Sequence, residues 1–131
     1  MTSPSTRASD CFFCNHGKER VVAKNELGLA LRDTYPVTEH HTLIVPRRHV
    51  ADFFDLTPPE AKALHALLHE AKQEIEALDE TVTGFNIGVN CGADAGQSVF
   101  HVHLHLIPRR HGDMENPKGG VRGVIPDKRI Y

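Results

Sequence analysis

The sequence predicts one α+β domain in which a long amphipathic helix and a short one pack on a five-stranded antiparallel sheet. Three observations lead to this prediction. Apolar residues with helical spacing run over residues 58–78. Five short apolar segments with the length of strands surround that region. Turn residues separate neighbouring segments, which favours antiparallel pairing.

Length and charge support a single soluble domain. A chain of 131 residues can bury about two-thirds of the surface that it exposes when unfolded. The net charge of −2 gives no indication of a nucleic acid or an anionic membrane as partner. Residues 1–10 are polar and lack the apolar stretch of a signal peptide, so we expect a disordered leader and a cytoplasmic protein.

The N-terminal half is predicted to hold three strands. Val21–Lys24 and Gly28–Arg32 are apolar runs separated by three residues, which predicts a hairpin with a tight turn. Residues 42–45 form a third apolar run that stops at Pro46. Residues 50–54 predict the short helix, about one turn long.

The long helix has a clear beginning. Thr57 is the expected N-cap, Pro58 takes the first helical position, and Glu60 completes a capping box. We therefore predict a helix over Pro58–Leu78 that buries one apolar stripe. The stripe comprises Ala61, Leu64, Leu67, Leu68, Ala71, Ile75 and Leu78.

The helix also carries two histidines four residues apart, His65 and His69. They lie at the edge and back of the stripe, and no glutamate follows the first of them, so we predict surface residues and not metal ligands. After the helix, residues 85–90 and 99–107 predict two longer strands joined by the loop 91–98. Residues 111–131 predict a tail that packs on the domain or on a dimer partner.

Three histidines alternate with apolar residues in the last predicted strand. His101, His103 and His105 would lie on one face of an extended chain, because side chains i, i+2 and i+4 point the same way. Every buried imidazole nitrogen needs a partner, so three in succession indicate chemistry more than packing. The alternative is a solvated face that happens to be rich in histidine.

Cys11 and Cys14 are spaced as half of a tetrahedral zinc site. Because the sequence has no second pair with this spacing, histidines would have to complete such a site. The alternatives are a redox pair or two buried thiols, and the first of these lacks the βαβ context of thioredoxin-like proteins. Cys91 is predicted to be an incidental small residue.

The run from Gly96 to Ile107, GQSVFHVHLHLI, resembles the signature of the histidine-triad (HIT) family of nucleotide hydrolases and transferases, and the cysteine pair resembles its bacterial zinc-containing type. Asp33, the segment HTLIVP at 41–46, His49 and the loop 90–97 also match. The resemblance covers about residues 11–110, which we take as the HIT domain.

The resemblance implies a homodimer and a reaction at the α-phosphate of a purine nucleotide. Nucleoside phosphoramidates and dinucleoside polyphosphates are the implied substrates. His103 would attack the phosphate and form a nucleotidyl-histidine intermediate, which water or another acceptor resolves. His105 and Ser98 would assist. The implied nucleotide-binding residues are Asp33 at the ribose, His41 at the side of the site, and Asn90, Gln97, Ser98 and His105 at the phosphate.

For the metal, the resemblance implies a structural zinc held by Cys11, Cys14, His49 and His101, with no organic cofactor. Two other functions remain open on the sequence alone. The protein can be a nucleotide-binding regulatory or scaffold protein with residual activity. It can also be a metal-dependent hydrolase in which the triad gathers on one metal, although His101 and His105 are about 13 Å apart on an extended strand.

Overall fold

A computed structural model describes residues 8–131 and shows a five-stranded antiparallel sheet with one long helix against it. The strand order is β1-β2-β3-β5-β4, so β1 and β4 form the two edges. The elements are β1 (Val21–Lys24), β2 (Gly28–Arg32), β3 (Thr42–Pro46), α1 (Pro58–Leu78), β4 (Val82–Val89) and β5 (Leu104–Arg110). The predicted fold class is confirmed.

Local sequence signals account for the bounds of α1. The side chain of Thr57 accepts a hydrogen bond from the amide of Glu60 at 3.3 Å, and the carboxylate of Glu60 accepts one from the amide of Thr57 at 2.9 Å. Arg48 pairs with the same carboxylate at 2.8 Å and lowers the pKa of Glu60 to about 2. The helix spans the predicted residues.

The sheet buries apolar side chains on both faces. The face that α1 covers contributes Ala30, Ile44, Leu104 and Leu106, which pack on Leu64, Leu67, Ala71 and Ile75 of the helix. Strands β2 and β3 also pack on the N-terminal segment from the other face. That second cluster contains Cys11, Phe13, Leu29, Leu31, Leu43 and Val45. Burial on both faces explains why β2 and β3 are continuous apolar runs.

The two C-terminal strands differ from the predicted bounds. Strand β4 begins at Val82, three residues before the prediction, and β5 begins at Leu104 instead of residue 99. The period-two pattern continues upstream of β5, but there the backbone of Val102 donates to the carbonyl of Val50 at 2.8 Å and not to a strand. His101 and His103 therefore precede the strand.

Smaller expectations have mixed outcomes. The short helix is a 3₁₀ turn at Phe53–Asp55. Two residues expected in the buried stripe are exposed instead: Ala61, in the first turn of α1, and Leu78, which is 60% exposed at its last residue. His65 and His69 are exposed, as predicted.

Short 3₁₀ turns are found in the tail and at the start of the described residues. The tail forms 3₁₀ turns at Gly120–Val124 and Pro126–Lys128. Most of the predicted leader lies outside the described residues, and Ala8–Asp10 forms a 3₁₀ turn. Across residues 8–131, none of the helices has the length and apolar character needed to cross a membrane.

Candidate active site and metal cluster

His105 lies in the middle of the sheet, where β5 pairs with β3 and β4. Its register partners are Leu43 on one side and Gly88 on the other. The ring of His103, just before the strand, packs on His105 with 5.2 Å between centroids and on Phe13 with 4.9 Å. The start of β5 and the residue just before it thus place these two imidazoles side by side.

One hydrogen bond fixes the tautomer of His103. Its Nδ1 donates to the carbonyl oxygen of His101 at 3.0 Å, and a carbonyl can only accept. Burial lowers the pKa of His103, so the ring is neutral and carries a single proton. That proton lies on Nδ1, and the lone pair of Nε2 is left as a base or nucleophile.

A second chain of hydrogen bonds runs from the backbone through His41 to His105. The amide of Val37 donates to Nδ1 of His41 at 3.0 Å, so the neutral ring of His41 carries its proton on Nε2. This Nε2 lies 3.0 Å from Nδ1 of His105. Because His41 donates to Nδ1, His105 keeps its own proton on Nε2. We call the amide of Val37, the ring of His41 and the ring of His105 the relay.

Burial keeps the imidazoles of the relay neutral. Burial, together with the nearby His103 and His41, lowers the pKa of His105 to about 4, and Asp33 opposes part of this effect. Burial also lowers the pKa of His41, an effect that Asp33 partly opposes. His105 is therefore a hydrogen-bond donor of fixed tautomer and not a cation at neutral pH.

Asp33 follows β2 and faces the relay. One carboxylate oxygen lies 3.5 Å from Nε2 of His41, and the other accepts from the amide of Tyr35 at 2.8 Å. Asp33, His41 and His105 also bring three possible metal-ligand atoms within 4.8 Å of one another. The proton on Nε2 of His41 removes the lone pair that a metal would need, so the hydrogen-bonded arrangement is favoured.

Asp33, His41 and His105 open onto a cavity of about 480 Å³. Asn90, one of the predicted nucleotide-binding residues, also lines it. Most of the remaining wall is apolar and includes two residues of the tail. These apolar wall residues are Tyr35, Val37, Ile87, Val89, Ile107, Val121 and Val124.

The loop between β4 and β5 is braced by Gln97. Its amide oxygen accepts from Gly92, and its amide nitrogen donates to the carbonyls of Ala51 and Val99 at 2.7 and 3.1 Å. Both amide hydrogens are therefore engaged with the backbone, and direct phosphate binding by Gln97 remains a prediction. Ser98 lines a separate cavity of about 180 Å³.

The four predicted metal-binding residues lie together on the other side of His103. Nδ1 of His101 lies 3.4 Å from Sγ of Cys11, 3.5 Å from Sγ of Cys14 and 3.3 Å from Nδ1 of His49. All four ligand atoms lie within 4.8 Å of one another. We call this group the metal cluster.

The donor set of the metal cluster fits zinc. Tetrahedral ligands at the usual Zn–N and Zn–S lengths are about 3.3–3.8 Å apart, and four of the six pairs in the metal cluster are 3.3–3.5 Å apart. Nε2 of His101 donates to the carbonyl of Pro46 at 2.7 Å, so the lone pair of its Nδ1 points into the cluster. Burial and the neighbouring Cys11 raise the pKa of the Cys14 thiol to about 11, a cost that a divalent cation would reverse.

The structure thus separates the histidines that the sequence placed on one face. His101 belongs to the metal cluster, His105 to the relay, and His103 lies between them. Three contributors carry no functional signal in the sequence: the amide of Val37, the carbonyl of Pro46 and the ring of Phe13. Only the position of Phe13 between two predicted ligands could have drawn attention to it.

Comparison with known proteins identifies the family of the chain. The sequence profile of the HIT domain matches residues 15–112. A Zn-bound histidine triad family protein from Mycobacterium smegmatis superposes with a TM-score of 0.74 at 31% identity, over 84% of this chain and 82% of that one. The chain belongs to the HIT family.

Two enzymes are also similar to the chain. A bis(5'-nucleosyl)-tetraphosphatase of Schizosaccharomyces pombe is 37% identical over 72% of this chain and 51% of its own length. An AP-4-A phosphorylase of Mycobacterium tuberculosis is 38% identical over 71% of this chain and 48% of its own length. The chain spans about half of each enzyme, and the family includes enzymes named for dinucleoside polyphosphates.

Proposed function

We propose that the protein is a nucleotide hydrolase or nucleotidyl transferase in which Nε2 of His103 attacks the α-phosphate of a purine nucleotide. Nucleoside phosphoramidates and dinucleoside polyphosphates are the substrate classes. The observation that carries the proposal is the hydrogen bond from Nδ1 of His103 to the carbonyl of His101, 3.0 Å long, which leaves a lone pair on Nε2.

The reaction then consists of two displacements at phosphorus. In the first, Nε2 of His103 forms a bond to the α-phosphorus while the bond to the leaving group breaks, and the leaving atom takes the electron pair. In the second, water attacks the same phosphorus, the P–N bond breaks, and its electron pair returns to Nε2. Over both steps one water is consumed: its oxygen and one hydrogen end on the nucleoside monophosphate, and its other hydrogen protonates the leaving group.

The relay supplies a neutral donor beside the reacting phosphate. Nε2–H of His105 can donate to an oxygen on which negative charge grows, and its tautomer is set in advance by His41. Asp33 is an acceptor suited to the ribose diol. In the loop between β4 and β5, glycine amides and Ser98 are further donors in our scheme, and Gln97 holds that loop in shape.

We assign a structural zinc to the metal cluster. Cys11, Cys14, His49 and His101 would hold it, and it would supply the positive charge that two thiolates require. His101 serves this cluster with Nδ1 and the nucleophile with its carbonyl oxygen. With zinc bound, the metal cluster would fix the position of His101, whose carbonyl orients His103, and the metal itself would take no part in the reaction.

A homodimer is supported by the surface around β4. This strand is an edge of the sheet, and Ile87 on it is 53% exposed. Ile87, Phe85, Leu68 and Leu106 line a mainly apolar cavity of about 220 Å³ between β4 and α1. We propose that a second copy covers this surface. Ile87→Glu should shift the protein from dimer to monomer in analytical ultracentrifugation, and a monomeric wild type would refute the assignment.

The tail contributes to substrate choice in our proposal. Val121 and Val124 line the same cavity as His105. Truncation after Asn116 should change the relative rates on different leaving groups more than it changes the melting temperature. A large fall in melting temperature with unchanged relative rates would mean that the tail only stabilises the domain.

One experiment tests the central proposal. The zinc-loaded protein is incubated with diadenosine tetraphosphate, adenosine phosphoramidate and adenylylated lysine, and AMP release is measured by chromatography. Rapid acid-free quenching and intact-protein mass spectrometry should detect an adenylylated chain, absent in His103→Ala. Binding without AMP release or adduct on every substrate would favour a regulatory nucleotide-binding protein.

A further inference from the structure

A groove at the outer edge of the sheet collects positive charge that the catalytic reaction does not use. Its volume is about 620 Å³, larger than the 480 Å³ of the cavity at His105, and the two share no lining residue. We call it the β1 groove. It is lined by His16, Lys18, Val21, Val22, Ala23, Lys24, Leu29 and Arg47.

Within residues 8–131, the cations of the β1 groove lack the acidic partner that four arginines elsewhere have. Four arginines elsewhere are ion-paired within 2.8 Å: Arg32, Arg48, Arg109 and Arg110. Between residues 8 and 131, Lys18, Lys24 and Arg47 pair with no carboxylate, and no Asp or Glu lines the groove. Residues 1–7 contain no acidic side chain that could pair with them.

Arg47 and His16 are held in place by hydrogen bonds to backbone groups. The amide of Arg47 donates to the carbonyl of Leu27 at 2.8 Å, and its Nε donates to the carbonyl of Asn25 at 3.0 Å. The terminal nitrogens of its guanidinium make no hydrogen bond within the described part of the chain. Nδ1 of His16 is held by the carbonyl of Phe13 at 3.0 Å. A ligand would thus meet the guanidinium donors of Arg47 already oriented, whereas His16, whose Nδ1 donates to the carbonyl of Phe13, contributes a fixed ring position and no oriented donor.

The rest of the groove wall is apolar. Val21, Val22, Ala23 and Leu29 form it, and the ladder between β1 and β2 is irregular between Val21 and Ala23. An edge irregularity of this kind blocks the addition of another strand, which disfavours an extended peptide as occupant. A wall that is apolar on one side and cationic on the other suits a compact organic anion.

The cavity at His105 has the opposite character. Asp33 is the charged side chain in its lining, and neither lysine nor arginine lines it. Lys18, Lys24 and Arg47 therefore lie in a groove to which no catalytic group has been assigned. The volume of the β1 groove exceeds that of the cavity at His105, so volume does not exclude a ligand of nucleotide size.

We propose that the β1 groove is a second ligand site, which binds an organic phosphate of nucleotide size. Its phosphates would lie against Lys18, Lys24 and Arg47, and its apolar or aromatic body would lie on Val22 and Leu29. Binding here does not depend on turnover at His103. The site can therefore be recognised by the number of ligand molecules bound per chain and by the loss of affinity when its lysines are replaced by acidic residues.

Calorimetric titration of the full-length, zinc-loaded protein with ADP tests the proposal. Two molecules should bind per chain. Lys24→Glu should raise the dissociation constant of one site about tenfold, and Lys18→Glu/Lys24→Glu should abolish that site, because reversed charges repel the phosphates. Asp33→Asn should weaken only the other site. Lys62→Glu, an exposed lysine of α1, is the matched charge control and should change neither.

Three results would overturn the proposal. The first is one ADP per chain in the wild type. The second is an equal effect of Lys24→Glu and Lys62→Glu. The third is inorganic phosphate binding as tightly as ADP, which would show that the apolar wall contributes nothing. Amide shifts in ¹⁵N NMR spectra locate the ligand without any substitution: Val22 and Lys24 should move at the second equivalent of ADP.

Discussion

The metal cluster and the relay lie on either side of His103 and each contains two histidines, but they prepare different chemistry. In the metal cluster, Nε2 of His101 donates to the carbonyl of Pro46, so a lone pair faces the two thiols. In the relay, Nδ1 of His41 accepts from the amide of Val37, so a proton faces His105. The backbone group behind each ring decides which atom it presents.

The difference shows why residue type alone does not identify a metal site. Asp33, His41 and His105 form a set as compact as the four residues of the metal cluster. A carbonyl behind a histidine makes it a ligand, whereas an amide behind it makes it a donor. His103 has a carbonyl behind Nδ1 and presents a lone pair, but no thiol or carboxylate joins it, and it is left to react.

The largest effect is expected at His103, between the two clusters. His103→Ala should lower the rate of AMP release by at least about 10⁴-fold, because covalent catalysis has no substitute for the nucleophile. Nucleotide affinity, measured by calorimetry, should remain. His111→Ala, at an exposed histidine, is the control. If the His103→Ala protein kept more than a tenth of the wild-type rate, His103 could not be the nucleophile.

The metal cluster is tested by replacing its thiols. Wild type should contain about one zinc per chain by mass spectrometry, and Cys11→Ser/Cys14→Ser should contain almost none. The free energy of unfolding should fall by about 3 kcal/mol or more, because the metal links the N-terminal segment to the sheet. Cys91→Ser should retain zinc and stability. Equal zinc in the double variant would place the metal elsewhere.

The relay predicts a different outcome for His41. His41→Ala should lower kcat by about 10²-fold with little change in KM or zinc content, because His105 loses the donor that fixes its tautomer. ¹⁵N NMR should then report a mixed tautomer for His105. His40→Gly is the control, since His40 has a φ of 73° that glycine adopts freely. Loss of zinc in His41→Ala would show that the relay and the metal cluster are not independent of each other.

The smallest effect concerns pH. The pKa of His105 falls from 6.5 to about 4 on folding, so the unfolded chain binds more protons below pH 6.5. Stability from this residue is complete above pH 6.5 and is lost as the pH falls towards 4. At pH 5.5 the loss should be of order 1 kcal/mol after allowing for the partly exposed ring.

Urea unfolding at pH 7.5 and 5.5 measures this loss. Wild type should lose more stability between the two values than His105→Asn, and the comparison cancels any zinc released by acid from both proteins. Identical losses would mean that His105 is not held neutral by its surroundings.

Local signals predicted part of the fold residue by residue. Strands β1 and β2 and helix α1 have the predicted bounds, because a hairpin turn and the Thr57 capping box lie within a few residues of the ends that they set. The start of β5 could not be predicted in this way. Its apolar alternation extends upstream of Leu104, and only the contact of Val102 with Val50 interrupts the ladder.

The same division applies to the candidate site. The sequence alone determined the set of residues, since the spacing of the triad, the cysteine pair, His49 and Asp33 all resemble the HIT pattern. It could not show that Gln97 braces its loop, or that Val37 and Pro46 contribute backbone groups.

What the sequence determined is which side chains the fold brings together; what the tertiary structure decided is what each imidazole presents. A neutral imidazole has one proton and two nitrogens that differ little in energy, so a single hydrogen bond selects the tautomer. The carbonyl of Pro46 is 55 residues from His101, and only the folding of β3 against the segment before β5 places them 2.7 Å apart.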